Sequence, residues 1–159
     1  MLRLTAEQLA AIARIGEQAY PEEGCGILLG KSITDQVRQV VEVRAVPNIW
    51  STDGDIAELM PQDPAPQSLA RSKTSRYTID PRDLLIAQRD ARDQGIDVIG
   101  IVHSHPDHPA LPSECDRAVA WSHYSYIIAS IHRRRVKDIL CWRMDSAQQF
   151  QSEALLVSP

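Results

Sequence analysis

Residues 100–116 read GIVHSHPDHPALPSECD, and their reading decides both the sheet and the site. The run IDVIGIVHSH (96–105) is nearly continuous in apolar residues, as strands inside a sheet are. Residues i and i+2 of a strand face the same side, so His103 and His105 aim their imidazoles at one point while Ser104 faces away. Pro106 then stops the ladder and leaves the pair at a strand end, where solvent enters. Ser113 caps a following helix, and Asp116 stands at its third position. Two imidazoles and this carboxylate supply three ligands at the roughly 2.0–2.1 Å that zinc takes, and the fourth tetrahedral position stays open for water, as in catalytic sites. Such an ion lowers the pKa of water from about 15.7 towards about 7 and polarises a carbonyl. Each half also has a plainer reading. An isolated H-x-H pair on a strand can be structural, and S-x-x-D is fully explained as a helix cap whose acid suits the helix dipole.

Outward from this stretch the chain reads as α/β. Thr5 is an N-cap with Gln8 as its capping-box partner, and Leu9, Ile12, Ala13 and Ala19 mark one face of a helix to about Ala19. CGILLG (25–30) is a buried strand, KSITD a turn and QVRQVVEVRAV (36–46) a second strand, together a hairpin. From 47 to 75 periodicity dissolves among Pro61, Pro64 and Pro66, an insertion that reads equally as a flap or as a disordered excursion. RYTI (76–79) is a short strand. Asp80-Pro81 starts a helix that Gly95 closes. YSYIIASI (124–131), KDILCWRM (137–144) and EALLV (153–157) complete a mixed sheet of about six strands flanked by helices. HRRRV is a hairpin tip.

The 159 residues suit one domain, 1–159. With 43% hydrophobic and 24% charged residues the composition is that of an ordinary globular protein. A net charge of -4 and no long apolar run give no footprint for nucleic acid or membrane, so neither is an expected partner. Cys25, Cys115 and Cys141 are too few for a disulfide framework and read as small packed residues. The amphipathic, acid-containing start lacks a secretory h-region, and the expected location is cytoplasmic.

The arrangement H-S-H-P, six residues, S-x-x-D resembles the signature of the JAMM (MPN-plus) metallopeptidases, and the resemblance extends along most of the chain. It implies an MPN-like fold, one zinc ion on His103, His105 and Asp116 with water as fourth ligand, and Ser113 hydrogen-bonding the oxyanion. The family also places a general-base glutamate three residues before the glycine of a G-apolar-apolar-apolar-G strand. PEEGCGILLG, with Gly26 and Gly30 bracketing Ile27, Leu28 and Leu29, gives that role to Glu23. The residues alone do not choose between Glu22 and Glu23; the chemistry requires only a carboxylate within reach of the attacking water. The chain passes almost directly from Asp116 to YSYIIASI, like the small prokaryotic members that act on ubiquitin-like or sulfur-carrier proteins. The implied reaction is hydrolysis after a C-terminal Gly-Gly, releasing an amino acid such as cysteine or a lysine conjugate. A homodimer stays open. The alternative is a non-catalytic scaffold of the same fold, and a nucleic-acid role is disfavoured by the acidic balance. His108, His123, His132 and the Arg133–Arg135 tip are read as loop or structural residues, and Trp121, Tyr124 and Tyr126 as core packing.

Overall fold

The computed structural model describes residues 1–51 and 72–159. In chain order these form β1 (Leu2–Thr5), α1 (Ala6–Ala19), β2 (Cys25–Thr34), β3 (Val37–Val46), α2 (Pro81–Asp93), β4 (Asp97–Pro106), α3 (Glu114–Val119), β5 (Ser125–His132), β6 (Arg135–Met144), β7 (Phe150–Glu153) and β8 (Leu155–Ser158). The proposed flap at 47–75 lies mostly outside the described residues.

Local chemistry explains the helices. Thr5 accepts the Gln8 amide proton and the Gln8 side chain returns the bond, the expected capping box. Asp80 caps α2 with Pro81 at its first position, and Gly95 follows its end in a left-handed conformation, φ +66°. β4 runs inside the sheet as expected, antiparallel to β2 and parallel to β5.

The eight strands lie in the order β7-β6-β5-β4-β2-β3-β1-β8, two more than the composition suggested. The extra strands come from the ends. LRLT at 2–5 is a strand because β3 and β8 flank it, both parallel; four residues carry too little pattern to show this. EALLV divides: residues 150–153 pair with β6 and residues 155–158 with β1. The two edge strands of the sheet are therefore consecutive in the chain, with Ala154 alone between them.

Two further expectations are corrected. KSIT is not a turn but the end of β2, which continues to Thr34 against β3. RYTI forms no strand, because Asn48 replaces the ladder: its side-chain oxygen accepts the Thr78 amide proton at 3.1 Å and its amide donates to the Arg76 carbonyl at 3.0 Å.

Each face of the sheet has its own core. Leu4, Ile12, Leu28, Val102 and Ile127 pack on the α1 side, and Ile27, Ala87, Ile101, Tyr124 and Tyr126 on the α2 side. Tyr124 and Tyr126 are buried as expected. Trp121 is not, at 54% exposed, because it sits in the loop before β5 with its ring stacked flat on Tyr124, 5.9 Å away.

Candidate metal centre

His103 and His105 leave β4 on its α2 side, beyond Ile101 of the same face. Ser104 points the other way, towards α1, where a side chain added at Gly16 would lie 2.8 Å from its Cβ. The alternation thus does two jobs. Ser104 Oγ accepts the Gly24 amide proton at 2.8 Å, and the Ser104 amide donates to the Gly24 carbonyl at 2.9 Å. Antiparallel pairing of Cys25 with His103, continued through Gly24 and Ser104, sets Glu23 across from His105 on the same face. Gly24 has to be glycine: a Cβ there would be 2.5 Å from the Ile15 carbonyl oxygen of α1. The turn after α1 is held from the other side by the Glu23 amide, which donates to the Lys73 carbonyl, and by Asn48, which donates to the Glu23 carbonyl.

α3 brings Asp116 to the pair. Ser113 Oγ accepts the Asp116 amide proton at 3.1 Å, and Asp116 Oδ2 accepts the Ser113 amide proton at 2.6 Å. The same carboxylate reaches both imidazoles, with Oδ1 3.1 Å from His103 Nε2 and Oδ2 3.5 Å from His105 Nε2. The cap and the candidate ligand are one side chain in two roles. The two Nε2 atoms are themselves 3.1 Å apart. All three residues are buried.

This donor set fits a zinc ion. Ligands on a tetrahedron with bonds near 2.0–2.1 Å stand about 3.3 Å from one another; His103 Nε2 lies 3.1 Å from both His105 Nε2 and Asp116 Oδ1, and the 3.5 Å contact of His105 Nε2 is to the other carboxylate oxygen, Oδ2. His105 Nδ1 lies 2.9 Å from the Pro109 carbonyl, which can only accept, so the ring proton belongs on Nδ1 and Nε2 presents a lone pair. Two imidazoles and a carboxylate converging in a buried space could hold a cation. The charges respond accordingly. Burial alone would raise the Asp116 carboxyl, but the neighbouring His103 and His105 imidazoles hold it well below the usual carboxylate range. Burial alone would lower His105, and the Asp116 carboxylate outweighs it and raises it. His103, Asp116 and His105 form the one cluster among the described residues whose ligand atoms lie mutually close enough for a metal.

Glu23 is 6% exposed, and burial, with the Asp116 charge, pushes its carboxyl up to about 8, against the opposing pull of His105 and Arg76. Ser113 is exposed. Its hydroxyl accepts from Asp116, so its own proton remains available.

Sequence reading missed three contributors. Tyr77 stacks on His103, centroids 4.5 Å apart and planes 19° from parallel. Pro109 fixes the His105 proton, and Asn48 ties the 47–51 and 76–79 segments to Glu23. None of these carries a local signal, since each acts through a long-range contact or a main-chain carbonyl. Beyond Tyr77 a cavity of about 800 Å³ opens between α2 and α3, lined by Ile49, Ile79, Leu84, Ile101 and Trp121. The cysteines form no disulfide. Burial pushes the Cys25 thiol up to about 12, where it is inert, and Cys115 is half-buried.

Known proteins share this framework. Over 111 residues the chain is 29% identical to a protein of Haloferax volcanii named desampylase, covering 69% of this chain and 63% of that protein. Over 108 residues it is 31% identical to a Thermus thermophilus protein named "probable TtuB-protein conjugate cleaving protease", covering 68% of this chain and 55% of the other. The chain thus spans somewhat over half the length of these relatives. A JAB1/MPN domain protein of Archaeoglobus fulgidus shares the fold, with a TM-score of 0.55 at 18% identity over 99% of this chain and 98% of that one. Residues 5–145 match the family model of prokaryotic homologs of the JAB domain, and the chain belongs to that family.

Proposed function

We propose that the protein is a zinc-dependent hydrolase that cleaves the bond following the C-terminal Gly-Gly of a ubiquitin-like or sulfur-carrier protein, releasing an amino acid or a lysine conjugate. The observation that carries the reading is the convergence of His103, His105 and Asp116, close enough together to hold one metal ion, beside a buried carboxyl. The names of the two relatives, a desampylase and a conjugate cleaving protease, support the substrate class.

A zinc ion held by these three residues would supply Lewis-acid polarisation of a carbonyl and acidify water at its open corner. The remaining work falls to the chain. Glu23, set across from His105 by the β2–β4 pairing, takes a proton from the attacking water and returns it to the leaving amine. Ser113, whose oxygen is engaged by the Asp116 amide, donates its hydroxyl proton to the carbonyl oxygen as negative charge develops there. Tyr77 and the Pro109 carbonyl hold the two imidazoles in orientation. A diglycine tail suits the apolar cavity beside Tyr77, since it presents no side chains and can approach closely. The cytoplasm, where free thiols persist, is the proposed place of action.

The test is to incubate the purified protein with Gly-Gly-ended carrier fusions, amide- and lysine-linked, and to read products by mass spectrometry with a chelator control. Cleavage directly after the second glycine, lost on chelation, is the expected result. Absence of both metal uptake and cleavage would leave the scaffold reading in its place.

A further inference from the structure

A second polar cluster sits at the opposite end of the sheet, where β4 and β5 begin. Glu153 is buried and fully engaged: the Met1 ammonium donates to Oε1 at 2.9 Å, Ser125 Oγ donates to Oε2 at 2.7 Å, and the Cys141 thiol reaches Oε2 at 3.5 Å. Arg38, on β3, extends to the same group and donates from Nη1 to Ser125 Oγ at 2.7 Å. Only 6% of Arg38 is exposed. Among the described residues that is the one hydrogen bond its guanidinium makes, although the group offers five N–H donors in a fixed fork. Its other nitrogens are not sealed in protein, because among the described residues the one buried side-chain atom without a partner is His103 Nδ1.

Those donors open on a cavity of about 720 Å³. Arg92, His123, Ser32 and Gln88 stand at its exposed rim, and Asp97 is the one carboxylate among its described lining residues. Charge around Arg38 is unbalanced. Burial and the Arg143 charge both work against its protonated form, and Glu153, which favours it, is already shared with the chain's own ammonium. Buried arginines are ordinarily paired, and a guanidinium fork facing an open cavity matches an oxyanion in shape and charge.

We propose that this cavity binds a small oxyanion, a phosphate or carboxylate group, with Arg38 at its base and Arg92 and His123 at its rim. The site is independent of the metal centre, lies at the other end of β4, and stands whether or not the proposed hydrolysis does. A phosphorylated or carboxylated small molecule is the class of ligand it takes.

Titration of the full-length protein with sodium phosphate and, separately, sodium acetate, at fixed pH and ionic strength, tests it by amide chemical shifts. Saturable shifts confined to Ser32, Asp97–Ile99 and His123 in either arm are expected, and the arm that responds distinguishes the source of the oxyanion. Arg38→Met should abolish them. Because that substitution removes a buried partner of Ser125, the exposed double variant Arg92→Gln/His123→Ala is measured beside it and should weaken binding roughly tenfold with the fold intact. Linear, non-saturating shifts in both arms, shifts centred on His103 and His105, or affinity unchanged in the double variant would overturn the proposal.

Discussion

The two ends of β4 solve the problem of buried charge in opposite ways. At the Asp97 end, Glu153 is satisfied within the chain by an ammonium, a hydroxyl and a thiol. At the His105 end, two imidazoles and a carboxylate face one another at 3.1 to 3.5 Å in an arrangement that could hold a metal ion. The first, around Glu153, is the pattern of a structural network, whose members complete each other, while Arg38 beside it lines an open cavity. The second is left for something from outside to complete. Burial is similar at both ends, so what separates a stabilising cluster from a chemical one is the sign of the atoms that point inwards.

That contrast can be broken by changing one end and reading both. The largest effect is expected at Glu23: Glu23→Ala should lower kcat on a Gly-Gly fusion by about 10²–10⁴-fold while zinc content, measured by elemental analysis, stays at that of the parent. Loss of metal along with activity would make Glu23 a ligand rather than a base. Next is metal linkage. Zinc at a hundred times its dissociation constant should add about 2.7 kcal/mol to the stability read by denaturant melts, and Asp116→Asn should remove that gain.

The other end should respond in stability and not in chemistry. Burial alone would raise the Glu153 carboxyl, but the Ser125 hydroxyl, the Met1 ammonium and Arg38 bring it below its usual value. A carboxyl whose folded pKa is depressed adds stability that is fully present above the unfolded pKa, near 4.3, and is lost as pH falls through the folded value. Glu153→Gln should therefore flatten the acid limb of the stability curve and cost about 1–3 kcal/mol at neutral pH, with zinc uptake unchanged. An unaltered acid limb would remove Glu153 from the account. The smallest effect concerns the β5–β6 turn. Arg133 and Arg134 both have positive φ, 50° and 65°, where two-residue hairpins favour Asn-Gly. Replacing the pair by Asn-Gly should raise stability by about 1 kcal/mol; a fall would mean that the arginines hold the turn, for example through Arg134 over the Tyr20 ring.

What could be read in the sequence follows the range of the forces involved. Thr5 with Gln8, Asp80 with Pro81 and the closing Gly95 act within a few residues, and all three appear where their local chemistry puts them. The same holds for His103 and His105, because a strand's alternation fixes their common side. Asp116 was legible as a cap, and the carboxylate that caps α3 also lies 3.1 Å from His103 Nε2. Longer-range effects were invisible. LRLT is a strand because of β3 and β8, RYTI is not one because Asn48 occupies its amide, and Trp121 is outside because Tyr124 takes the inner place. Tyr77 beside His103 belongs to the same class.

The passage from β7 to β8 bears on how the chain becomes this shape. Leu2–Thr5 pairs in register with Leu155–Ser158, so nearly the whole polypeptide separates the partners. Contacts so distant in sequence are slow to form, because the entropy of closing the loop is lost before the contact rewards it. A nascent chain emerging from the ribosome can build the Cys25–Val46 hairpin early and lay its first strand beside Val37–Val46, but the other side of that strand waits for Leu155–Ser158. That edge of the sheet is the last to be laid down.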